Sequence, residues 1–167
     1  MNNETVLTTD GTKLIITRVF SAPKEKVWEA WADPTVFAKW WGPNGWQTTV
    51  AHHEFDPGGY LLYAMKCEDP AQGDWYEKES CGKMVFEEVT PHDHFTYSDF
   101  FTDNTGEVMP NMPSIRTENT LESVDGGTKF TSVGYYEKEE DLKTVLDMGM
   151  EEGIKQTWNR LEDLLKN

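Results

Sequence analysis

The sequence predicts an α+β domain in which a curved antiparallel sheet wraps one long C-terminal helix. Three observations carry this. Strand-like runs follow one another in hairpin series across residues 46–136, and consecutive hairpins imply antiparallel pairing. Helical patterns are segregated from them, two short ones near the start and one long one at the end, which is the α+β arrangement. The terminal pattern repeats apolar residues at three- and four-residue spacing, so its stripe must be buried against the sheet.

The first run, 12–20 (TKLIITRVF), is rich in β-branched and aromatic residues and reads as a strand. Ser21-Ala22-Pro23 breaks it, and Pro23 suits the first turn of a helix. That helix covers 24–32, with Val27, Trp28 and Trp31 on one stripe. Asp33-Pro34 ends it and opens a second helix over 35–41, because a residue before proline avoids the α region. Gly42-Pro43-Asn44-Gly45 stops the second helix. Strands follow over 46–55, 60–67, 78–89, 95–103, 115–124 and 128–136. Asp56-Pro57-Gly58-Gly59 turns the first pair, and Asp125-Gly126-Gly127 turns the last. Residues 68–75 and 104–113 read as loops. The stretch 139–167 contains no proline and reads as one helix, with Gly149 and Gly153 marking a kink or a close approach. A single domain over 1–167 is expected, ordered from about 11 to 166, with residues 1–10 loose.

Composition narrows the function. The chain has 167 residues and a formal net charge of −15. A nucleic-acid partner needs Lys and Arg to neutralise phosphates, and an anionic membrane surface needs the same, so both are excluded as main partners. No apolar run reaches the length of a membrane span, and the first residues lack the basic and apolar regions of a signal peptide. A reducing cytoplasm is the expected location, with Cys67 and Cys81 as free thiols. The clusters Glu137 to Asp141, Glu151-Glu152 and Glu87-Glu88 read as a solvated acidic face.

Alternation puts Leu61, Tyr63 and Met65 on one strand face, and Phe95, Tyr97 and Phe101 on another. Met150, Ile154 and Trp158 face the sheet from the terminal helix. Met109 and Met112 occupy a loop placed to lid a mouth. Flexible methionines and flat aromatics suit an adaptable apolar pocket. Of Trp40 and Trp41, one is expected to pack and the other to stay partly exposed as a ligand platform. The candidate ligand site is therefore Trp40, Trp41, Tyr63, Met65, Tyr97, Phe101, Met109, Met112, Met150, Ile154 and Trp158.

Chemistry is sparse. His52 and His53 point to opposite sheet faces, His92 and His94 flank a turn, and no zinc-ligand spacing is present, so no metal is expected. Glu54, Asp99, Glu118 and Arg116 are polar residues within strand-like runs, and any that faced a cavity would be desolvated and available as an acid or base. Which of them point inward is left open. No nucleophile elbow, P-loop or dinucleotide glycine pattern occurs. No catalytic residue is assigned and no cofactor is expected.

The run Phe20-Ser21-Ala22-Pro23 through Asp33-Pro34, continuing to Lys39-Trp40-Trp41-Gly42-Pro43, resembles the opening of the START-like (SRPBCC, helix-grip) superfamily. More narrowly it resembles the branch of homologues of the activator of heat-shock protein 90 ATPase. Three further landmarks follow in order: Asp56-Pro57-Gly58-Gly59 before an aromatic strand, Gly126-Gly127-Thr128, and Gly149-Met150-Glu151-Glu152-Gly153 opening the terminal helix. The resemblance implies a seven-stranded sheet, two small helices and a C-terminal helix in the sheet's grip. It also implies a deep apolar cavity holding a lipid- or polyketide-like molecule. A few members are cyclases or hydrolases, and the co-chaperone that names the branch carries an additional N-terminal domain for its chaperone. A chain of 167 residues leaves no room for that domain, so a ligand-binding protein is the leading expectation. An enzyme of the same fold and a chaperone-interacting module stand behind it. Oligomeric state is not fixed by any of these features.

Overall fold

The structure is a computed structural model and describes residues 4–166. The strands are β1 (Val6–Asp10), β2 (Lys13–Phe20), β3 (Trp46–His53), β4 (Tyr60–Cys67), β5 (Glu79–Thr90), β6 (His94–Thr102), β7 (Ile115–Val124) and β8 (Gly127–Tyr135). The helices are α1 (Lys24–Ala32), α2 (Pro34–Trp40), α3 (Glu139–Asp147) and α4 (Met150–Leu165). All eight strands form one open antiparallel sheet in the order β1-β2-β8-β7-β6-β5-β4-β3.

Local chemistry places these elements as the sequence reading expects. The Asp33 side chain accepts from the backbone N–H of Thr35 at 2.8 Å and of Val36 at 3.4 Å, capping α2, while Pro34 takes its first turn. The Asp56 carbonyl accepts from Gly59 N at 2.8 Å across a turn in which Gly58 has φ +85°, which only glycine adopts freely. Gly127 is required by close approach, because a Cβ there would collide with the Phe20 carbonyl. Irregularities between Val50 and His52 in β3, and between Phe86 and Val89 in β5, bend the sheet.

One sheet face is covered. In β2 the residues Leu14, Ile16, Arg18 and Phe20 are buried while Lys13, Ile15, Thr17 and Val19 are not. The covered face forms an aromatic core with α1 and α2, in which Trp31 stacks on Phe130 at 5.8 Å and lies 5.0 Å from Phe95. Trp158 of α4 closes on the same Phe130 at 5.3 Å and on Phe20 at 5.7 Å.

Three expectations are corrected. The sheet has eight strands, not seven: Val6–Asp10 pairs with β2 from Val6 opposite Thr17 to Asp10 opposite Lys13, in a stretch expected to be loose. Its side chains are mostly exposed, so backbone pairing holds it and no apolar pattern announces it. The terminal helix is two helices. The chain breaks at Met148-Gly149, where Gly149 takes φ +88° and becomes the N-cap of α4. Residues 70–75, expected as loop, form short 3-10 turns opened by Asp69, whose side chain accepts from Ala71 N at 3.0 Å.

Candidate functional site

The N-terminal half of α4 stands away from the sheet and leaves a cavity of about 280 Å³. Its floor comes from Leu14 and Ile16 of β2, Tyr97 and Asp99 of β6, Ile115 and Thr117 of β7, and Ser132 and Gly134 of β8. Its roof is Met150, Gly153, Ile154 and Thr157 of α4, and Trp31, Trp41, Pro43, Met65 and Tyr136 complete the walls. Small residues make the space. Gly153 has nothing within 4 Å of the position its Cβ would take, and a Cβ at Gly134 would collide with Ile115. A smaller chamber of about 120 Å³ adjoins, sharing Met65, Asp99, Ile115, Tyr136 and Met150 and adding Tyr63, Cys81 and Phe101.

The rim is held by α4 itself. Arg160 donates to the carbonyls of Gly42 at 2.7 Å, Pro43 at 3.2 Å and Trp46 at 3.2 Å, and Gln156 accepts from Asn44 N at 3.0 Å. These bonds fix the segment that carries Trp41. Thr48 adds a hydrogen bond to the Trp41 carbonyl at 2.5 Å.

One carboxyl breaks the apolar surface. Asp99 lies between the two chambers, and Tyr63 donates its hydroxyl to both carboxylate oxygens at 3.3 and 3.4 Å. Loss of hydration pushes its pKa up to about 7, against the pull of the Tyr63 hydroxyl and the Phe100 backbone N–H. The phenols of Tyr63, Tyr97 and Tyr136 are pushed upward in turn, first by burial and next by the nearby Asp99 charge, so all three stay neutral at physiological pH. No ion pair joins Asp99 to a Lys, Arg or His among the described residues. Arg116 and Glu118 instead pair with each other at 2.7 Å on the opposite face of the sheet, and Glu54 is exposed.

The other end of α4 is sealed. Trp158, Leu161 and Leu165 are buried there. Arg18 reaches in from β2, donating to Asn159 at 2.6 Å and Thr5 at 3.1 Å, with its guanidinium 3.9 Å from the buried Glu162. Glu162 also accepts from Ser21 N at 3.0 Å. Burial lowers the Arg18 pKa, with the Glu162 charge opposing.

The structure brings together about two thirds of the residues singled out from sequence. Trp41, Met65, Tyr97, Met150 and Ile154 line the main cavity, and Tyr63 and Phe101 line the small chamber. Trp40 does not reach it: the side chain is fully buried, donates to the Ala30 carbonyl at 2.9 Å and packs on Trp31 and Phe37. Trp158 lies beyond the cavity in the sealed end. Met109 is exposed, Met112 is half-buried, and neither lines either chamber. Asp99 itself was one of four open possibilities. Its position two residues after Tyr97 and two before Phe101 is the signal that puts it on their face. Tyr136, Trp31 and Gly134 carried no comparable signal.

The histidines are dispersed. His52 stacks on Tyr60 at 4.1 Å, His53 bonds the Trp31 carbonyl at 2.8 Å, and His94 pairs with Glu88 at 2.9 Å. Among the described residues, no three His, Cys, Asp or Glu side chains are placed to hold a metal ion. No helix among them is long and apolar enough to cross a membrane.

Solved structures share this architecture over nearly the whole chain. A Mycobacterium smegmatis protein is 32% identical with a TM-score of 0.86, covering 97% of this chain and 96% of its own. An Arthrobacter aurescens protein is 28% identical, with a TM-score of 0.86 and coverage of 96% and 91%. A Staphylococcus epidermidis protein is 29% identical, with a TM-score of 0.82 and coverage of 96% and 93%. No curated protein matches. The family model described as Activator of Hsp90 ATPase homolog 1-like protein matches residues 21–166, from the break before α1 to the end of α4. The chain belongs to that family, and its helix-grip sheet and terminal helix are the family's fold.

Proposed function

We propose that the protein binds a small hydrophobic molecule in the cavity between the sheet and α4. The observation that carries this reading is an apolar pocket of about 280 Å³ between the sheet and α4, open to solvent on one side and lined almost wholly by apolar side chains. The driving force is apolar burial at about 25 cal/mol per Å². The volume fits a molecule of one or two fused rings and excludes a long lipid chain lying wholly inside.

Trp31 and Trp41 lie on the wall and report on occupancy. Titration of the protein with naphthalene, followed by quenching of tryptophan fluorescence, is expected to saturate with one site. Native mass spectrometry of protein taken directly from cells is expected to release a small molecule on denaturation. A protein that quenches linearly without saturation and carries no extra mass overturns the reading.

One observation favours an enzyme as a second reading. Asp99 is a cavity carboxyl whose pKa lies near 7, where a general acid or base works best. The expected sign of this is ester or lactone turnover that follows Asp99 ionisation near pH 7 and disappears in Asp99→Asn while ligand binding persists.

A further inference from the structure

Asp99 is a charge-bearing group set in an apolar cavity without a counter-charge. Every group that faces it is neutral at physiological pH. From β4 comes Tyr63, from β5 Cys81, from β6 Tyr97, and beyond β8 Tyr136. The other residues of the small chamber, among them Ile115 of β7, Val145 of α3 and Met150 of α4, carry no charge. The sealed end of the same interface shows the usual alternative, since Glu162 there is supplied with Arg18. A carboxylate whose partners are one hydroxyl and one backbone N–H keeps acceptor capacity in hand, because each oxygen takes more than one donor.

The approach to the cavity carries a second, independent observation. An open vestibule of about 570 Å³ lies outside the rim and shares Pro43 and Gly153 with the cavity wall. Two indole rings lie there with centroids 6.2 Å apart and planes tilted by 56°, Trp46 and Trp75, and Trp75 is 57% exposed. Asp69 and Glu152 line the same vestibule, and neither is ion-paired to a Lys, Arg or His among the described residues. Indole faces beside carboxylates attract organic cations through the ring quadrupole and through charge. The chain's net charge of −15 raises the encounter rate of a cation further.

We infer that the cavity's ligand is an amphipathic amine. Its apolar ring system fills the space between α4 and the sheet. Its ammonium pairs with the Asp99 carboxylate, and the Trp46–Trp75 vestibule is its way in. The ammonium supplies the counter-charge that the fold withholds, and the pair forms in a water-poor site where charge-assisted hydrogen bonds are strongest. Binding then depends on pH with a definite sign. Asp99 must lose its proton to pair, so amine affinity rises with pH up to the carboxyl's pKa near 7 and levels off above it. A ligand that instead accepts a hydrogen bond from protonated Asp99, such as a carboxylic acid, shows the opposite slope.

This inference rests on the cavity reading, and a matched series separates the two. Naphthylmethylamine, naphthylmethanol and naphthoic acid are titrated calorimetrically against the wild-type protein between pH 5.5 and 8.5. The amine is expected to bind at least tenfold more tightly than the alcohol at pH 8. It is expected to weaken by about tenfold per unit below pH 6.5, as a single proton linkage requires. Asp99→Asn is expected to bring amine and alcohol within twofold of one another and to flatten the amine's pH profile. Binding of the alcohol or the acid with equal or greater affinity than the amine overturns the amine assignment and leaves the cavity reading standing. So does an amine profile that falls with rising pH. Failure of all three probes to bind overturns both. The wild-type pH profile tests the inference whether or not the Asn variant folds.

Discussion

The two ends of α4 each meet a carboxyl, and the fold treats the two in opposite ways. At the C-terminal end, Glu162 meets Arg18 and the Ser21 N–H, and Trp158, Leu161 and Leu165 fill the space around them. At the N-terminal end, Asp99 meets the Tyr63 hydroxyl, and the residues around it leave room. One helix, against one sheet, thus has a packed half and an open half. The difference shows where the fold is held and where it leaves space. An ion pair closes the first half. An unpaired group whose pKa has drifted to about 7 marks the second.

The largest test of this contrast removes the clasp. Arg18→Met leaves Glu162 buried without a cation and is expected to cost about 3–5 kcal/mol in urea denaturation. Replacing Glu162 by Gln in the same chain is expected to recover part of that loss. A cost below about 1 kcal/mol for the single change would mean that the two ends are not different in kind. Truncations along α4 sharpen the comparison. Leu161→Ala in the sealed half is expected to cost about 2–5 kcal/mol, whereas Ile154→Ala, which already borders empty space, is expected to cost about 1 kcal/mol or less. Equal costs would place both residues in the same packed core. The pH-dependent effect concerns Asp99. Its folded pKa lies above the unfolded value of about 3.9, so its contribution to stability is full below about pH 4 and is lost as pH rises through 7. Asp99→Asn lacks this loss. Its stability relative to wild type is expected to climb between pH 4 and 7 by up to about 4 kcal/mol, and to hold level above. A difference curve that stays flat would show Asp99 to be ionised throughout.

Most of the fold was legible because turns and caps declare themselves locally. Asp33-Pro34 could only end one helix and start another, and Asp56-Pro57-Gly58-Gly59 could only be a turn. The strand Val6–Asp10 was not legible, since a strand held by its backbone with exposed side chains has no apolar period to read. At Gly149 the sequence allows a kink or a close approach, and the structure has a full change of helix at Met148-Gly149. In the site, alternation carried Tyr63, Met65, Tyr97 and Phe101 to the right face, and the same rule applied to Asp99 would have carried it too. Trp40 and Trp41 could not be told apart, because local spacing says that two neighbours diverge but not which one meets the core. The pairing of Arg18 with Glu162 joins the second strand to the last helix, and no local pattern reaches that far.

The clasp at the closed end also bears on how such a protein changes over generations. Residues that line the cavity, such as Met65, Ile115 and Ile154, are different residues from those that secure the helix, such as Arg18, Trp158 and Glu162. On the proposed function, substitutions among the first set are expected to alter which molecule is held while the clasp stays in place. A lineage carrying this scaffold would then trade one small molecule for another by steps that leave the closed end of the helix secured.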